Sequence, residues 1–349
     1  MNAPALPSHA PLALDAQWLP YKLDPVLRRV LWLRMDAARR AQAAFLDDRA
    51  LTSDLEGVWA PLHAWPVLDA STRCDAIFHI GHCGSTLLSR VLGSWPGVQA
   101  LREPMPLRTL ADHWRTRDAI DARLAPDELD AVFDGLWSSF ARAPDATRTV
   151  VKATSGCNAL IEPLLERRHH TRVVLLDMPL RPYLAALLKS PTSQGDALAA
   201  ASERLVDLHR RGHGDALVLH ALDPATQCAM GWLAERVRFD AIAQASSGRV
   251  LRVDFHALLA DRARVLARIA GFLELAPTHL DAALAGDAWG RYAKADAHAY
   301  DAGDREHDLT LSMQRNGEAI ARAADWVEAR VAADPGLQRV VSAAALHGD

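Results

Sequence analysis

Lysine is scarce in this chain of 349 residues: of 39 basic side chains only Lys22, Lys152, Lys189 and Lys294 are lysines, the rest arginines. Together with the many alanines, this points to a coding bias against lysine codons. A lysine that persists under such a bias raises a chemical question, because a compact ammonium and a planar guanidinium do different jobs. Cysteine is as rare. Cys74, Cys83, Cys157 and Cys228 show no CxxC spacing, which argues against structural zinc and a disulfide framework and fits a reducing compartment. No apolar run approaches the ~20 residues of a membrane span. The opening MNAPALPSHAPLALDAQW has neither the basic nor the clean apolar region of a secretory signal, so a cytoplasmic location is expected. Excess charge of one sign is missing too: 39 basic against 43 acidic residues give −4, and no global field draws the chain to nucleic acid or lipid. With hydrophobic residues at 50%, charged at 23% and aromatics at 6%, usage is that of a globular protein and excludes disorder or a collagen-like fibre.

Residues 1–20 carry several prolines and little periodicity and read as an extended arm. Asp24-Pro25, followed by apolar Val26, Val30, Leu31, Leu33 and Met35, predicts a helix over 24–35 with aspartate as N-cap and proline in the first turn. Residues 59–70, with Trp59, Trp65 and two prolines, read as a loop. From Asp75 onward short apolar runs alternate with helical patterns. Strands are expected at AIFHI (76–80), VQAL (98–101), TVVKAT (149–154), RVVLLDMP (172–179) and GRVLRVDF (248–255). Helical spacing is clear in 86–95, 126–142, 180–189 and 256–275, and 196–245 reads as helical with turns at Gly212 and Asp223-Pro224. Such alternation predicts a parallel sheet covered on both faces. The expected division is 1–72 as an N-terminal arm with a helical segment and 73–349 as an α/β domain with a helical insert at 191–245.

Gly81-His82-Cys83-Gly84-Ser85-Thr86 lies between a buried strand and a helix. Glycines let backbone amides turn inward, and a helix N-terminus adds unpaired N–H groups, so such a loop can hold an anion, most often phosphate. A tight strand-to-helix turn explains it equally well. It is not a Walker A loop, since the lysine before Ser/Thr is missing.

Six short motifs in order then bear on family: FHIGHCGSTLLSRVL, ALREPM, VVKAT, LLDMPLRPYLAALLKS, LRVDFHALL…IAGFLEL, and Tyr292-Ala293-Lys294. Over roughly 76–295 the chain resembles the sulfotransferases that use 3′-phosphoadenosine 5′-phosphosulfate (PAPS), especially their bacterial, tyrosylprotein and heparan branches. The resemblance implies a three-layer α/β fold of the P-loop sulfotransferase type and sulfuryl transfer to a hydroxyl or amine, with PAPS as co-substrate and no metal. It implies that Gly81, Cys83, Gly84, Ser85 and Thr86 hold the 5′-phosphosulfate, that Glu103 is the general base, and that Lys152 and Lys294 bring cations to the donor. The insert would shape the pocket of a small-molecule, glycan or peptide acceptor.

Three positions depart from the pattern. His82 stands where relatives carry Lys or Arg and is the catalytic candidate to donate to the donor's bridging oxygen in their place, Asp177 stands where an arginine grips the donor's 3′-phosphate, and Ala185 where a serine is usual. Arg181, Lys189 and Ser190 on the following helix are the candidates to compensate. Asp177 also closes the run Val173-Val174-Leu175-Leu176-Asp177, the form of a strand whose acid holds Mg²⁺ in nucleoside-triphosphate enzymes, so a kinase-like phosphotransferase is the alternative. A binding or scaffold homologue without chemistry is the third. His209 and His213 at i, i+4 lack the glutamate of a zinc helix. Arg167-Arg168-His169-His170 suits a helix C-terminus. Cys83 is conceivable as a nucleophile, though packing in the loop accounts for it better. The tryptophans are scattered and read as core or pocket walls.

Overall fold

The computed structural model describes residues 14–65, 73–143, 145–290, 302–342 and 345–346. The chain enters on an antiparallel sheet, β1 (Trp18–Asp24), β2 (Arg29–Arg34) and β3 (Gly57–Pro61), ordered β1-β2-β3. This overturns the helix expected over 24–35, the helical segment assigned to the N-terminal region there, and the first residues, 59–61, of the loop expected over 59–70. The Asp-Pro signal was sound but ambiguous. The Asp24 carboxylate accepts from the Leu27 N–H at 2.9 Å, and Pro25 presets the bend, which are the requirements of a turn as much as of a helix start. The residues after the bend decide between them. The segment pairs with β1 on one side and β3 on the other, Val30 and Trp32 are buried between partly exposed Arg29 and Leu31, and Val26 and Leu27 are left exposed at the hairpin tip. The sheet packs against the helices Pro106–Arg115 and Pro126–Ala141 and shares its buried side chains with the main core.

The five strands expected downstream are all present: β4 (Arg73–His79), β5 (Val98–Arg102), β6 (Arg148–Lys152), β7 (Val173–Asp177) and β8 (Val250–Asp254). They form one parallel sheet in the order β5-β6-β4-β7-β8. The middles of the central strands are apolar, with polar and charged residues kept to their ends, because helices cover both faces. At the amino ends buried Asp75 gathers Arg73, Arg148 and the Arg172 N–H, which fastens three strands at one level. All carboxyl ends point the opposite way. The chain leaves β4 for β5 on one side and reaches β7 and β8 on the other, so a crevice opens beyond β4, the usual place for a ligand in such sheets.

The insert is helical as expected, in three pieces, Pro191–Ala199, Ala201–Arg210 and Pro224–Ala245. The stretch 256–275 is two helices, Phe255–Ala260 and Arg262–Phe272, because the Asp261 side chain caps the second at Arg264 N. A long helix, Ala302–Ala333, then lies along Leu180–Leu188 and Pro224–Ala245. No helix among the described residues is long and apolar enough to cross a membrane.

Candidate functional site

Beyond β4 the backbone is left-handed at Gly81 (φ 97°), His82 (φ 53°) and Gly84 (φ 73°), so the loop coils before the helix Ser85–Leu92. At Gly84 a side chain is excluded twice: the φ is positive, and a Cβ would lie 1.9 Å from the Phe255 ring. Ser85 and Thr86 open the helix, both nearly buried and both on the wall of a cavity of about 470 Å³. Their free first-turn amides and the helix dipole favour an anion there.

Buried groups hold this loop from behind. The Gly81 N–H donates to His79 Nδ1 at 3.0 Å, so His79 carries its proton on Nε2 and donates it to the Ala153 carbonyl at 3.0 Å. Burial, and next the charge of Lys152, hold the imidazole well below the usual histidine range; it is neutral. The Ile80 carbonyl accepts from Tyr183 Oη at 3.3 Å and from Arg204 at 3.4 Å. Arg204 is itself buried and paired with Glu235 at 3.1 Å. Cys83 faces inward, its thiol donating to the Leu176 carbonyl at 3.3 Å and pushed up to about 12 by burial. It is no thiolate nucleophile, and it is not among the cavity-lining residues.

The ends of β5 and β6 supply the charged pair. Their register places Arg102 beside Lys152, and the Glu103 N–H donates to the Lys152 carbonyl at 2.7 Å, so Glu103 is the first residue past the strand, at φ 52°. Its Oε1 accepts from the Lys152 ammonium and its Oε2 from Arg108 Nη2 at 3.0 Å. Lys152 is 1% exposed and lies 5.7 Å from the centre of the Phe45 ring, a burial tolerable only because the charge is paired.

Gly81, His82, Gly84, Ser85, Thr86, Glu103, Lys152 and Lys189 therefore meet on one cavity. Arg181 pairs with Glu328 at 3.5 Å and Ser190 caps the helix Pro191–Ala199; neither lines it. Lys294 lies outside the described residues. Asp177 does not line the cavity either. Its carboxylate is nearly buried between Arg236 at 2.7 Å and Arg252 at 3.2 Å. Ala185 is fully buried, and its carbonyl accepts the Ser312 hydroxyl at 2.7 Å.

Sequence reasoning missed several wall residues: His79, Thr154, Ser155, Arg204, Phe255, Arg262, Trp289 and Arg305. Only His79 carried a signal, a histidine inside an apolar strand one step from the loop. Arg262 stacks on Trp289 and Arg305 on Phe255, each 4.9 Å from the ring centre. Among the described lining residues, seven Lys or Arg face four Asp or Glu; Lys189 and Arg204 are paired with Asp308 and Glu235 outside the wall, which leaves a small excess of basic side chains within a slightly acidic chain.

No family model and no curated protein matches the chain. Solved structures do. It is similar to the sulfotransferase domain from the curacin biosynthetic pathway (14% identity, 73% of this chain and 98% of that one, TM-score 0.38). It is similar as well to the sulfotransferase domain of the Synechococcus PCC 7002 olefin synthase (15%, 72% and 95%, TM-score 0.37). A Mycobacterium tuberculosis H37Rv sulfotransferase aligns at 16% identity over 70% of this chain and 77% of its own, TM-score 0.36. At this distance the chemistry has to be argued from the side chains.

Proposed function

We propose that this protein is a sulfotransferase-like enzyme that moves a sulfuryl group from PAPS to a hydroxyl or amine acceptor. The observation that carries the reading is the meeting, on one cavity, of the anion-binding loop 81–86 with the Lys152–Glu103 pair. The wall fits a nucleotide with more than one anionic group: amides and hydroxyls at Ser85 and Thr86, and cations at Lys152, Lys189, Arg262 and Arg305. In this reading the loop amides and Lys152 neutralise charge that grows on the departing phosphate, and Glu103 accepts the acceptor's proton. Helices of the insert, through Asp196, Ala197 and Glu203, form the wall on the acceptor side.

The arginine pairing of Asp177 weighs against the kinase-like alternative. Two guanidinium groups already neutralise the acid that would hold Mg²⁺, and it does not line the cavity. The same pairing lessens any repulsion of a donor phosphate by this carboxylate.

Thermal-shift and calorimetric titrations with adenosine 3′,5′-bisphosphate and, in parallel, Mg-ATP test the reading. Micromolar binding of the bisphosphate without Mg²⁺ is expected, raising the melting temperature because only the native state binds. Mg-dependent binding of ATP alone supports the phosphotransferase instead. Absence of binding by either favours a scaffold.

A further inference from the structure

Both oxygens of the Glu103 carboxylate are occupied, one by Lys152 and the other by Arg108. Arg49 on the neighbouring turn adds a third cation whose charge interacts with Glu103, and the buried Cys157 faces it from the segment after β6. In this arrangement each oxygen already accepts from one cation, so an incoming O–H or N–H has to share an oxygen with Lys152 or Arg108. Lys152 in turn serves two places. Its ammonium holds Glu103, and its field reaches His79 and Cys83, which flank and form the anion loop. It lies by the Phe45 ring and lines the same cavity as the loop.

We propose that Glu103 and an anion in the 81–86 loop compete for Lys152, so that the donor uncaps the base. This rests on the sulfuryl-transfer reading above. While Lys152 holds Glu103, the carboxylate is capped. When the loop takes an anionic donor, Lys152 turns toward it and Oε1 no longer shares its lone pairs with the ammonium. The acceptor's proton then passes to Oε1 as its oxygen or nitrogen bonds to sulfur. The bond from sulfur to the phosphate oxygen breaks, and its electron pair stays on the phosphate, next to Lys152. The base is thereby armed only with donor in place, so an acceptor bound first waits unreacted for the donor. Arg108 keeps Oε2 and holds the carboxylate in position throughout.

Competition has a thermodynamic signature that needs no turnover. Part of the donor affinity is spent separating Lys152 from Glu103, so removing the carboxylate charge should tighten binding. Calorimetry with adenosine 3′,5′-bisphosphate on the full chain is expected to show Glu103→Gln binding about five- to tenfold tighter than wild type, since the competent state is no longer a minor one. Lys152→Met should bind more weakly, and adding Glu103→Gln to it should change nothing further, because the coupling runs through Lys152. Glu103→Ala serves as a second neutral variant should the amide fail to fold. Equal or weaker binding by the neutral variants overturns the proposal, and so does an undiminished gain in the Lys152→Met background. A wild-type chain that binds no bisphosphate overturns the sulfuryl-transfer reading itself and this proposal with it.

Discussion

His79 has both ring nitrogens engaged inside the protein, and that settles its charge. Burial and Lys152 depress its proton affinity in the folded chain, while the unfolded chain restores that of a free histidine, about 6.5. Below that pH the unfolded state therefore binds a proton that the folded state refuses, and stability falls as pH falls. His113 and His256, also shifted down by burial, act in the same direction. Urea unfolding between pH 7.5 and 5.5 should show this loss, with His79 contributing up to about 1.4 kcal/mol per pH unit. In His79→Gln the slope should flatten; an unchanged slope would mean that the burial of this imidazole is not what the pH reads. Cys83 illustrates the same logic with the opposite outcome for function: burial removes its reactivity and leaves it a packing and hydrogen-bonding role.

At the scale of elements, the loop 81–86 is shaped from outside as well as by its own glycines. Phe255, the first residue of the helix after β8, lies where a Gly84 side chain would be. Gly84→Ala should cost about 2–4 kcal/mol, combining the left-handed strain with overpacking, and should abolish nucleotide binding. Chemical denaturation of Gly84→Ala, Phe255→Ala and the double variant checks the cause: the two costs should fall well short of additive, and strict additivity would show that the ring is not the obstacle. The hairpin β1–β2 marks the limit of reading locally. An aspartate, a proline and scattered apolar residues satisfy a helix start or a turn, and the choice fell to burial against the helices Pro106–Arg115 and Pro126–Ala141.

For the whole molecule, the helix Ala302–Ala333 completes the site from far along the chain. One stripe of it, Arg305 and Leu309, lines the cavity. The next turns anchor it: Ser312 donates to the Ala185 carbonyl at 2.7 Å and Asn316 to the Leu188 carbonyl at 3.2 Å, filling acceptors that the last turn of Leu180–Leu188 leaves open. Ser312→Ala is expected to lower the stability by about 1–2 kcal/mol, the cost of a lost buried hydrogen bond, and to weaken bisphosphate binding through Arg305. Full stability in urea with unaltered calorimetric affinity would detach this helix from the site. Ala185 and Asp177, which stand where a serine and an arginine are expected, do not line the cavity: Ala185 is buried with its carbonyl bonded by Ser312, and Asp177 is paired with Arg236 and Arg252.

The sequence alone determined the five parallel strands, the position of the loop between β4 and its helix, and the placing of Glu103 and Lys152 at the ends of two of those strands; that the two strands are neighbours is a result of the assembled sheet. Each of these is written in contiguous residues: an apolar run, a pair of glycines, a charge at the end of a strand. Only the tertiary structure decided that Asp177 is neutralised, that one ammonium caps the candidate base, and that Phe255, Trp289, Arg262 and Arg305 join the wall. Those outcomes depend on side chains brought together from distant segments, and no local periodicity records which cation an aspartate will meet once the sheet is assembled. The scarce lysines show the division well. Their rarity drew notice to Lys152, but its meaning came from burial beside Glu103, where a compact ammonium fits on Phe45 and faces the cavity.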